Sequence, residues 1–523
     1  MDVWKLWTRR CLVALIAVLM ACEGGAETSV PPADDAVGGK DTVSADAPTE
    51  DALPADVSGL DVTPDGSEED TVAPRLDLPP EYTCGVSDAL SPCDTVGPMP
   101  ADAATIAQFT VDNAVPLRCT DGLGEHWDFD IFASEFEGQA AFFMGEVHGS
   151  DEIGTASADL FEALVYGAGV NVAALEMGMD TSAAYNEYVL TGDESVLDDG
   201  LYWEQYTDSM FRKTIPRRAR KIYEETGIIV TVLGVDTPMH LAWVNERIVE
   251  IATPLTVQAQ SLLLDVLPAA KEPPYGLMGL DSAYVALTKN YHQHVMDNED
   301  VICAGLSPEA CEDIEFLAYA LYVGAVFNSY DFQQLMMGQG NPMNMMIWMN
   351  ERETLLDYNF RRALPNDDTI LYAHMGAAHC AKGDWNVAGM IHKEHPPAQG
   401  RVYSVSPAWG PGSKVFYGIS AQGLPAEPPA LADLLVQMPA ENYFVASNHP
   451  GMDCSANPFG DDVSRQVGGT YGASYDAFFW FNILTPEKAG WSKPSFEEDW
   501  RAEFIRDQTA RTRFADRMME ELR

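Results

Sequence analysis

Basic residues are scarce in this 523-residue sequence: 31 Lys and Arg stand against 80 Asp and Glu, for a formal net charge of −49. A surface of this sign repels nucleic acid and anionic lipid headgroups, so neither is expected as a partner. The sequence has no internal repeat, and beyond its N-terminus no apolar run is long enough to cross a bilayer. The compact HExxH motif of zinc hydrolases is absent too, so no local pattern predicts a metal site.

The first residues are typical of a signal peptide. A basic start is followed by an apolar run from Cys11 to Ala21, which is too short to be a transmembrane helix of the mature protein. The run ends in Leu-Met-Ala before Cys22, which resembles the bacterial lipobox; the alternative is an ordinary secretory peptide with an incidental cysteine. The lipobox predicts acylation of Cys22 and a lipid anchor in the cell envelope. Glu23 at the next position favours the outer membrane by resemblance to lipoprotein sorting signals.

The segment after Cys22 has the composition of a disordered tether. Between Glu23 and Asp77, fifteen acidic residues stand against two basic ones, and almost no large apolar side chains are present. Such a segment cannot bury a core, and its like charges extend it. The predicted organisation is a signal peptide (1–21), a tether (22–80), an N-terminal extension (81–130), an α/β domain (131–490) and a charged C-terminal helix (491–523).

Nine cysteines in an exported protein predict some disulfide bonds. Cys84 with Cys93, and Cys303 with Cys311, are close enough in sequence to close small loops. Connectivity cannot be deduced from the sequence. Besides Cys11 and Cys22 the cysteines are odd in number, so at least one is expected to stay free. The remaining candidates are Cys119, Cys380 and Cys454.

Apolar runs alternate with helical patterns from residue 140 onward. The run Ala140–Met144 predicts a buried strand, Thr155–Tyr166 has helical spacing, and Val170–Leu175 predicts a second strand. Strand, helix and strand with short connections predict a βαβ unit and hence a parallel sheet. The pattern recurs with strands at Ile228–Leu233 and Thr369–Ala373. The fold class is therefore α/β, with a mainly parallel sheet flanked by helices.

The alternation breaks between about residues 244 and 350. This stretch has helical patterns and few strand candidates, so a helical insertion or cap is expected there. Helices are also predicted at Arg217–Glu225 and Arg352–Ala363, and later strands at Val402–Val405 and Tyr475–Leu484.

Polar residues follow four of the predicted strands: Glu146 with His148, Glu176, Asp236, and His374. Ligands of open parallel sheets bind beyond the carboxyl ends of the strands. One such residue alone is more often a cap or a satisfied polar group. Four strand ends that share this feature indicate one site.

Six motifs in order resemble those of the erythromycin esterase family, over about 350 residues from near Phe129 to Pro486. The matching segments are Gly145-Glu146-Val147-His148-Gly149, Ala174-Leu175-Glu176, Asn186-Glu187-Tyr188-Val189 with Gly192, Leu233-Gly234-Val235-Asp236, Arg352-Glu353 with Asn359, and Tyr372-Ala373-His374 with His379 and Lys382. The strand around Tyr475–Phe479 resembles the last core strand of the family.

Two departures distinguish the histidine loops. One residue separates Glu146 from His148, whereas the family usually has two, and four residues separate His374 from His379 rather than two. The shorter GEVHG form also resembles the wider superfamily of haem-binding uptake lipoproteins and TIKI/TraB-type proteins. Reshaped catalytic loops are therefore expected.

The residue chemistry fits ester hydrolysis without a serine or cysteine nucleophile. A neutral His148 is suited to remove a proton from the attacking water, because the pKa of an imidazole is close to neutral pH. Glu146 or Glu176 would orient that ring or the water, and Arg352 would stabilise the oxyanion. His374 or His379 would donate a proton to the leaving alkoxide, and Glu353 would orient Arg352 or a histidine.

The resemblance also implies substrate contacts by Asp236, Asn186 and Tyr188, and hydrolysis without a metal or other cofactor. The expected substrate is a small ester or lactone, and no protein partner is predicted. Two alternatives stay open for the same crevice: a lipoprotein that binds haem or metal, and a metal-dependent hydrolase.

Overall fold

The computed structural model describes these residues of the chain: 115–116, 118–121, 124–127, 138–200, 210–271, 280–336, 342–417, 420–423, 442–446, 475–481 and 483–485. The predicted signal peptide, Cys22, the tether and the C-terminal helix lie outside the described residues. So do Cys84, Cys93 and Cys454. Among the described helices, none is both long and apolar enough to cross a membrane.

An eight-stranded sheet forms the centre of the described fold, in the order β1-β11-β12-β8-β4-β7-β5-β6. Six neighbouring strands, from β12 to β6, are mutually parallel, and β11 and β1 add to one edge in antiparallel orientation. The strands are β1 (Val115–Pro116), β2 (Arg118–Asp121), β3 (Gly124–Trp127), β4 (Ala141–Glu146), β5 (Val172–Gly178), β6 (Thr231–Asp236), β7 (Leu371–Gly376), β8 (Val402–Trp409), β9 (Lys414–Tyr417), β10 (Ser420–Gly423), β11 (Asn442–Ala446) and β12 (Ala477–Phe481). The predicted α/β class with a mainly parallel sheet is confirmed.

Helices connect the parallel strands, as crossover connections require. The described helices are α1 (Asp151–Ala168), α2 (Ser182–Thr191), α3 (Glu194–Gly200), α4 (Met210–Thr226), α5 (Leu241–Ala252), α6 (Val257–Leu264), α7 (Ser282–Asp297), α8 (Glu299–Ile302), α9 (Pro308–Phe327), α10 (Tyr330–Met336), α11 (Pro342–Ala363), α12 (Ala377–Cys380) and α13 (Val387–Glu394). Short 3-10 turns occur at Met179–Thr181, Cys303–Gly305 and Pro396–Ala398.

The sheet is buried on both faces because its strands are apolar at almost every position. In β4, Phe142 and Met144 pack into the core on one face, whereas Ala141 and Phe143 pack into the core on the other. Strands that bury both faces are typical of parallel sheets with helices on each side. This continuous burial explains why a short apolar run was sufficient to predict β4.

The interval between β6 and β7 is helical in its described residues, and α5 to α9 form a third core around Leu241, Tyr284 and Leu321. No strand occurs in the described part of this interval. A disulfide joins Cys303 to Cys311, as their spacing allowed, and Cys380 is a buried free thiol.

Several predicted boundaries were wrong in ways that affect the site. β5 runs past Glu176 to Gly178, and β7 runs past His374 to Gly376, so both residues lie inside strands rather than after them. Helix α11 begins at Pro342, ten residues before the predicted start at Arg352. Arg352 therefore lies in the middle of a helix, where its backbone position is fixed by the preceding turns.

Candidate active site

Adjacent strands bring the predicted residues to one edge of the sheet. β4, β7, β5 and β6 are neighbours in that order and run parallel. Glu146 and Asp236 are the last residues of β4 and β6, and Glu176 and His374 lie within two residues of the ends of β5 and β7. Because all four carboxyl ends meet at the same edge, residues far apart in sequence become neighbours.

A tight loop places His148 above this edge. Only four residues, from Val147 to Ser150, separate the end of β4 from the start of α1. Gly149 has φ +81°, a left-handed conformation that glycine adopts without strain, and the Ser150 side chain accepts a hydrogen bond from the Ile153 amide to cap α1. The short connection keeps the imidazole close to Glu146.

Glu146 lies between two histidines. Its Oε1 is 2.7 Å from His148 Nδ1, and its Oε2 is 3.2 Å from His374 Nε2. Burial opposes ionisation of Glu146, but the charges and hydrogen bonds of His148 and His374 outweigh it and hold the pKa at about 2. Glu146 is therefore a buried carboxylate at neutral pH.

Arg352 is the centre of a second group of charges. Its Nε donates to Asp236 Oδ1 at 2.8 Å, and its Nη2 donates to Glu176 Oε1 at 2.5 Å and to Asp236 Oδ2. Its guanidinium carbon also lies 5.5 Å from the centroid of the Phe327 ring. Burial alone would lower the pKa of Arg352, but the charges of Asp236 and Glu176 raise it, so the guanidinium stays protonated.

Glu176 and Glu353 hold His379 from both sides of its ring. Nδ1 bonds to Glu353 Oε1, and Nε2 is 3.3 Å from Glu176 Oε1 and 3.1 Å from Arg352 Nη1. Burial would lower the pKa of His379, yet the carboxylates of Glu353 and then Glu176 raise it to about 10. The ring is thus an imidazolium. Burial opposes ionisation of Glu176, but the charges of His379 and Arg352 keep its pKa well below the usual range.

The two groups meet around Gly376. Its amide donates to Glu176 Oε2 at 2.5 Å. A Cβ at this glycine would stand 3.2 Å from Glu176 Oε2, 3.6 Å from His379 Cδ2 and 3.7 Å from His148 Nε2. The absence of a side chain therefore keeps open the narrow space that these three residues share.

Glu146, His148 and Glu176 each offer one possible ligand atom within 4.8 Å of the others, a spacing that a metal ion could use. The oxygens of both glutamates already face N–H donors from histidines, Arg352 or the Gly376 amide. Arg352 and the His379 imidazolium also supply the positive charge that a cation would bring. This donor set fits a site built from protein groups better than a metal centre.

The three predicted substrate-binding residues have protein partners. Asp236 holds Arg352. Asn186 accepts from the Val232 amide at 3.0 Å and donates to the Val232 carbonyl at 2.8 Å, so its amide covers the free edge of β6. The buried Tyr188 donates to Glu194 Oε1 at 3.0 Å. The contacts of Asn186 and Tyr188 are thus with β6 and α3 rather than with the ionisable cluster, and their substrate-binding role stays a prediction.

Sequence reasoning missed Ser157, whose Oγ lies 2.8 Å from His374 Nδ1 and 2.5 Å from the Tyr372 hydroxyl. Tyr372 belongs to the Tyr372-Ala373-His374 motif, but the sequence predicted no role for it. A serine inside an amphipathic helix carries no signal that it contacts a residue 217 positions away. Its partner becomes visible only when α1 packs on the sheet.

A cavity of about 250 Å³ lies apart from this cluster, between β6 and helices α5, α9 and α11. Its lining includes Trp243, Phe316 and Asn359 but none of the seven predicted catalytic residues. The ionisable cluster at the sheet edge is therefore distinct from this cavity.

Comparisons with known proteins show the fold alone. No family model and no curated protein matches the chain. A solved protein of Bacillus cereus is similar at TM-score 0.51 and 15% identity, and a succinoglycan biosynthesis protein at 0.52 and 13%; each match covers 74% of this chain and 99% of the other. A mutant of erythromycin esterase EreC in its open conformation matches at TM-score 0.48 and 12% identity, over 69% of this chain and 95% of its own.

Proposed function

We propose that the protein is a metal-independent hydrolase that cleaves a small carboxylic ester or lactone, with His148 as general base. The observation that carries the proposal is the contrast in exposure within one cluster. The His148 side chain is 47% exposed, whereas the other six predicted catalytic side chains are at most 15% exposed. The His148 imidazole is thus accessible to solvent, whereas the charged groups around it are buried.

The bond to Glu146 selects the useful tautomer of His148. Because a carboxylate only accepts, Nδ1 carries the proton and Nε2 is the basic nitrogen. Nε2 takes a proton from water as the water oxygen attacks the substrate carbonyl carbon. Glu146, fixed as a carboxylate, stabilises the imidazolium that forms. The same arrangement orients histidines in hydrolases that use a serine, but here water is the nucleophile.

Arg352 is suited to stabilise the oxyanion that forms on the substrate, and His379 is suited to protonate the leaving alkoxide. Neither Asp236 nor Glu176 accepts from Arg352 Nη1, so its N–H groups are the ones suited to the developing oxyanion. The carbon–oxygen bond of the ester then breaks, and the leaving alkoxide takes a proton from His148 or His379. In the imidazolium, His379 Nε2 and Arg352 Nη1 are two N–H donors that face each other at 3.1 Å. Once Nε2 has lost its proton, it can accept a hydrogen bond from Nη1. A leaving alkoxide is basic enough to take this proton even though Glu353 and Glu176 raise the pKa of His379 to about 10.

The test uses purified full-length protein with short-chain alkyl esters and a series of lactones. We expect hydrolysis that persists after chelation, and a fall in kcat/KM of about 10² or more in His148→Asn with unchanged circular dichroism. His294→Asn, which removes a histidine bonded to the Leu262 carbonyl in the helical insertion, is the matched control and should keep the parent rate.

Other outcomes favour the alternatives. Activity that disappears on chelation and returns with zinc or manganese would indicate a metal-dependent hydrolase at the same cluster. A Soret band in the purified protein, without hydrolysis of any ester or lactone, would indicate a haem-binding lipoprotein.

We further propose that the protein is held in the bacterial cell envelope by lipid on Cys22. The support is the sequence pattern at residues 1–22 and the acidic tether that follows. In a bacterial host, Cys22→Ala should move the protein from the detergent-extracted membrane fraction to the soluble fraction. Retention in the membrane by this variant would contradict the anchor.

A further inference from the structure

A buried chain of polar contacts continues from the candidate site into the core. The Tyr372 hydroxyl lies 2.5 Å from Ser157 Oγ, Ser157 Oγ lies 2.8 Å from His374 Nδ1, and His374 Nε2 lies 3.2 Å from Glu146 Oε2. Ser157, Tyr372 and His374 are fully buried. The chain therefore links the interior of the fold to the carboxylate that orients His148.

The chemistry of the two ends gives the chain a direction. The negative charge of the Glu146 carboxylate, 3.2 Å from His374 Nε2, favours a proton on that nitrogen. In an imidazole with one proton, Nδ1 is then an acceptor and takes the hydroxyl proton of Ser157. The Tyr372 hydroxyl has a single proton, which then lies between two acceptors, Ser157 Oγ at 2.5 Å and the Ser157 carbonyl at 2.9 Å.

We propose that Ser157 and Tyr372 are positioning residues that fix the Nε2-protonated tautomer of His374. His374 then holds Glu146 in the orientation that His148 needs. The expected effect on the reaction rate rests on the proposed function, whereas the tautomer of His374 does not. The burial of His374 also changes its expected role, because a fully buried ring has no access to a leaving group.

Other titratable groups face this chain and must be considered when its pH dependence is measured. Glu176 lies beside His148, and the Cys380 thiol lies near Tyr372. Burial first, and nearby carboxylates second, raise the pKa of the Cys380 thiol well above its usual value, so it stays neutral. Glu176 is the neighbour whose charge acts on His148 directly.

The catalytic test is a graded series at position 157. Ser157→Ala removes the hydroxyl donor and should lower kcat about tenfold with KM nearly unchanged, and it should shift the acid limb of the pH–kcat profile. Ser157→Cys has similar size and a weaker donor, so an intermediate rate and pH profile are expected. Tyr372→Phe should give a smaller loss of about threefold. A parent pH profile in Ser157→Ala would overturn the proposal.

A measurement on the full-length protein without substrate separates this inference from the hydrolase proposal. Selective ¹⁵N labelling of the ten histidines reports which ring nitrogens are protonated, with His374→Asn and His148→Asn for assignment. We expect His374 to show a proton on Nε2 alone, and Ser157→Ala to change the titration of His148. A proton on His374 Nδ1 would overturn the inference even if the protein proves to be a hydrolase. The expected spectrum would uphold the tautomer in a protein without hydrolase activity.

Discussion

The site has an exposed half around His148 and a buried half around Arg352, and both are built from acidic and basic side chains. On one side, His148 is half exposed and rests on a single buried carboxylate, Glu146. On the other, Arg352 is largely buried and joins Glu176, Asp236 and His379. The exposed side is suited to exchange protons with water, and the buried side fixes charge and geometry. Substitutions on the exposed side should therefore affect rate, and those on the buried side should affect both rate and stability.

Removal of the central cation should have the largest effect. Arg352→Ala leaves Glu176 and Asp236 buried without their partner, which should lower the free energy of unfolding by about 3–5 kcal/mol and abolish activity. Urea denaturation measures the first effect. Arg217→Ala, which breaks a half-exposed pair with Glu194, is the control and should cost about 1 kcal/mol or less. Equal losses in the two variants would contradict the contrast.

The pH dependence of stability should come next. The carboxylates raise the pKa of His379 from its ordinary 6.5 to about 10, so the protonated ring stabilises the fold fully below pH 6.5. This contribution, on the order of a few kcal/mol, is lost as the pH rises towards 10. Denaturation of the parent and of His379→Gln at a series of pH values isolates it. The difference between them should be greatest below pH 6.5 and shrink above it; a constant difference would contradict the assignment.

A smaller, purely catalytic effect is expected where the two halves meet. The added Cβ of Gly376→Ala would stand 3.2 Å from Glu176 Oε2 and enter the space beside His148 and His379. Gly376 has φ −49°, so alanine introduces no backbone strain. We expect kcat/KM to fall about tenfold with little change in the melting temperature. The control is Gly167→Ala, because the new Cβ would have open space around it. Gly138→Ala is unsuitable because φ is +80° there.

The smallest effect should come from a predicted binding residue that lies outside both halves. Asn186→Ala removes the partner of the Val232 amide and carbonyl at the edge of β6. The loss should be about 1–2 kcal/mol of stability, with KM and kcat unchanged. A clear rise in KM would show that Asn186 contacts substrate after all.

Much of the sheet was predictable because its signals are local. The apolar runs of β4 and β5 need no partner to identify them, and parallel βαβ order then places Glu146, Glu176 and Asp236 at one edge. Arg352 and Glu353 were found through a resemblance, since a charged pair in a helix has no local signature. The roles of Ser157 and Asn186 depend on how helices pack on the sheet, which no local pattern encodes. The late start predicted for α11 has a similar cause, because the Met-rich turns from Pro342 lack a clear start signal.

Chemical rescue tests most directly whether an exposed imidazole on a buried carboxylate performs the chemistry. His148→Ala leaves space at a half-exposed position next to Glu146, so added imidazole should restore hydrolysis of an unactivated alkyl ester in a saturable way. The double variant with Glu146→Gln should respond much less. Parent activity in His148→Ala without imidazole, or equal rescue in both variants, would contradict the account.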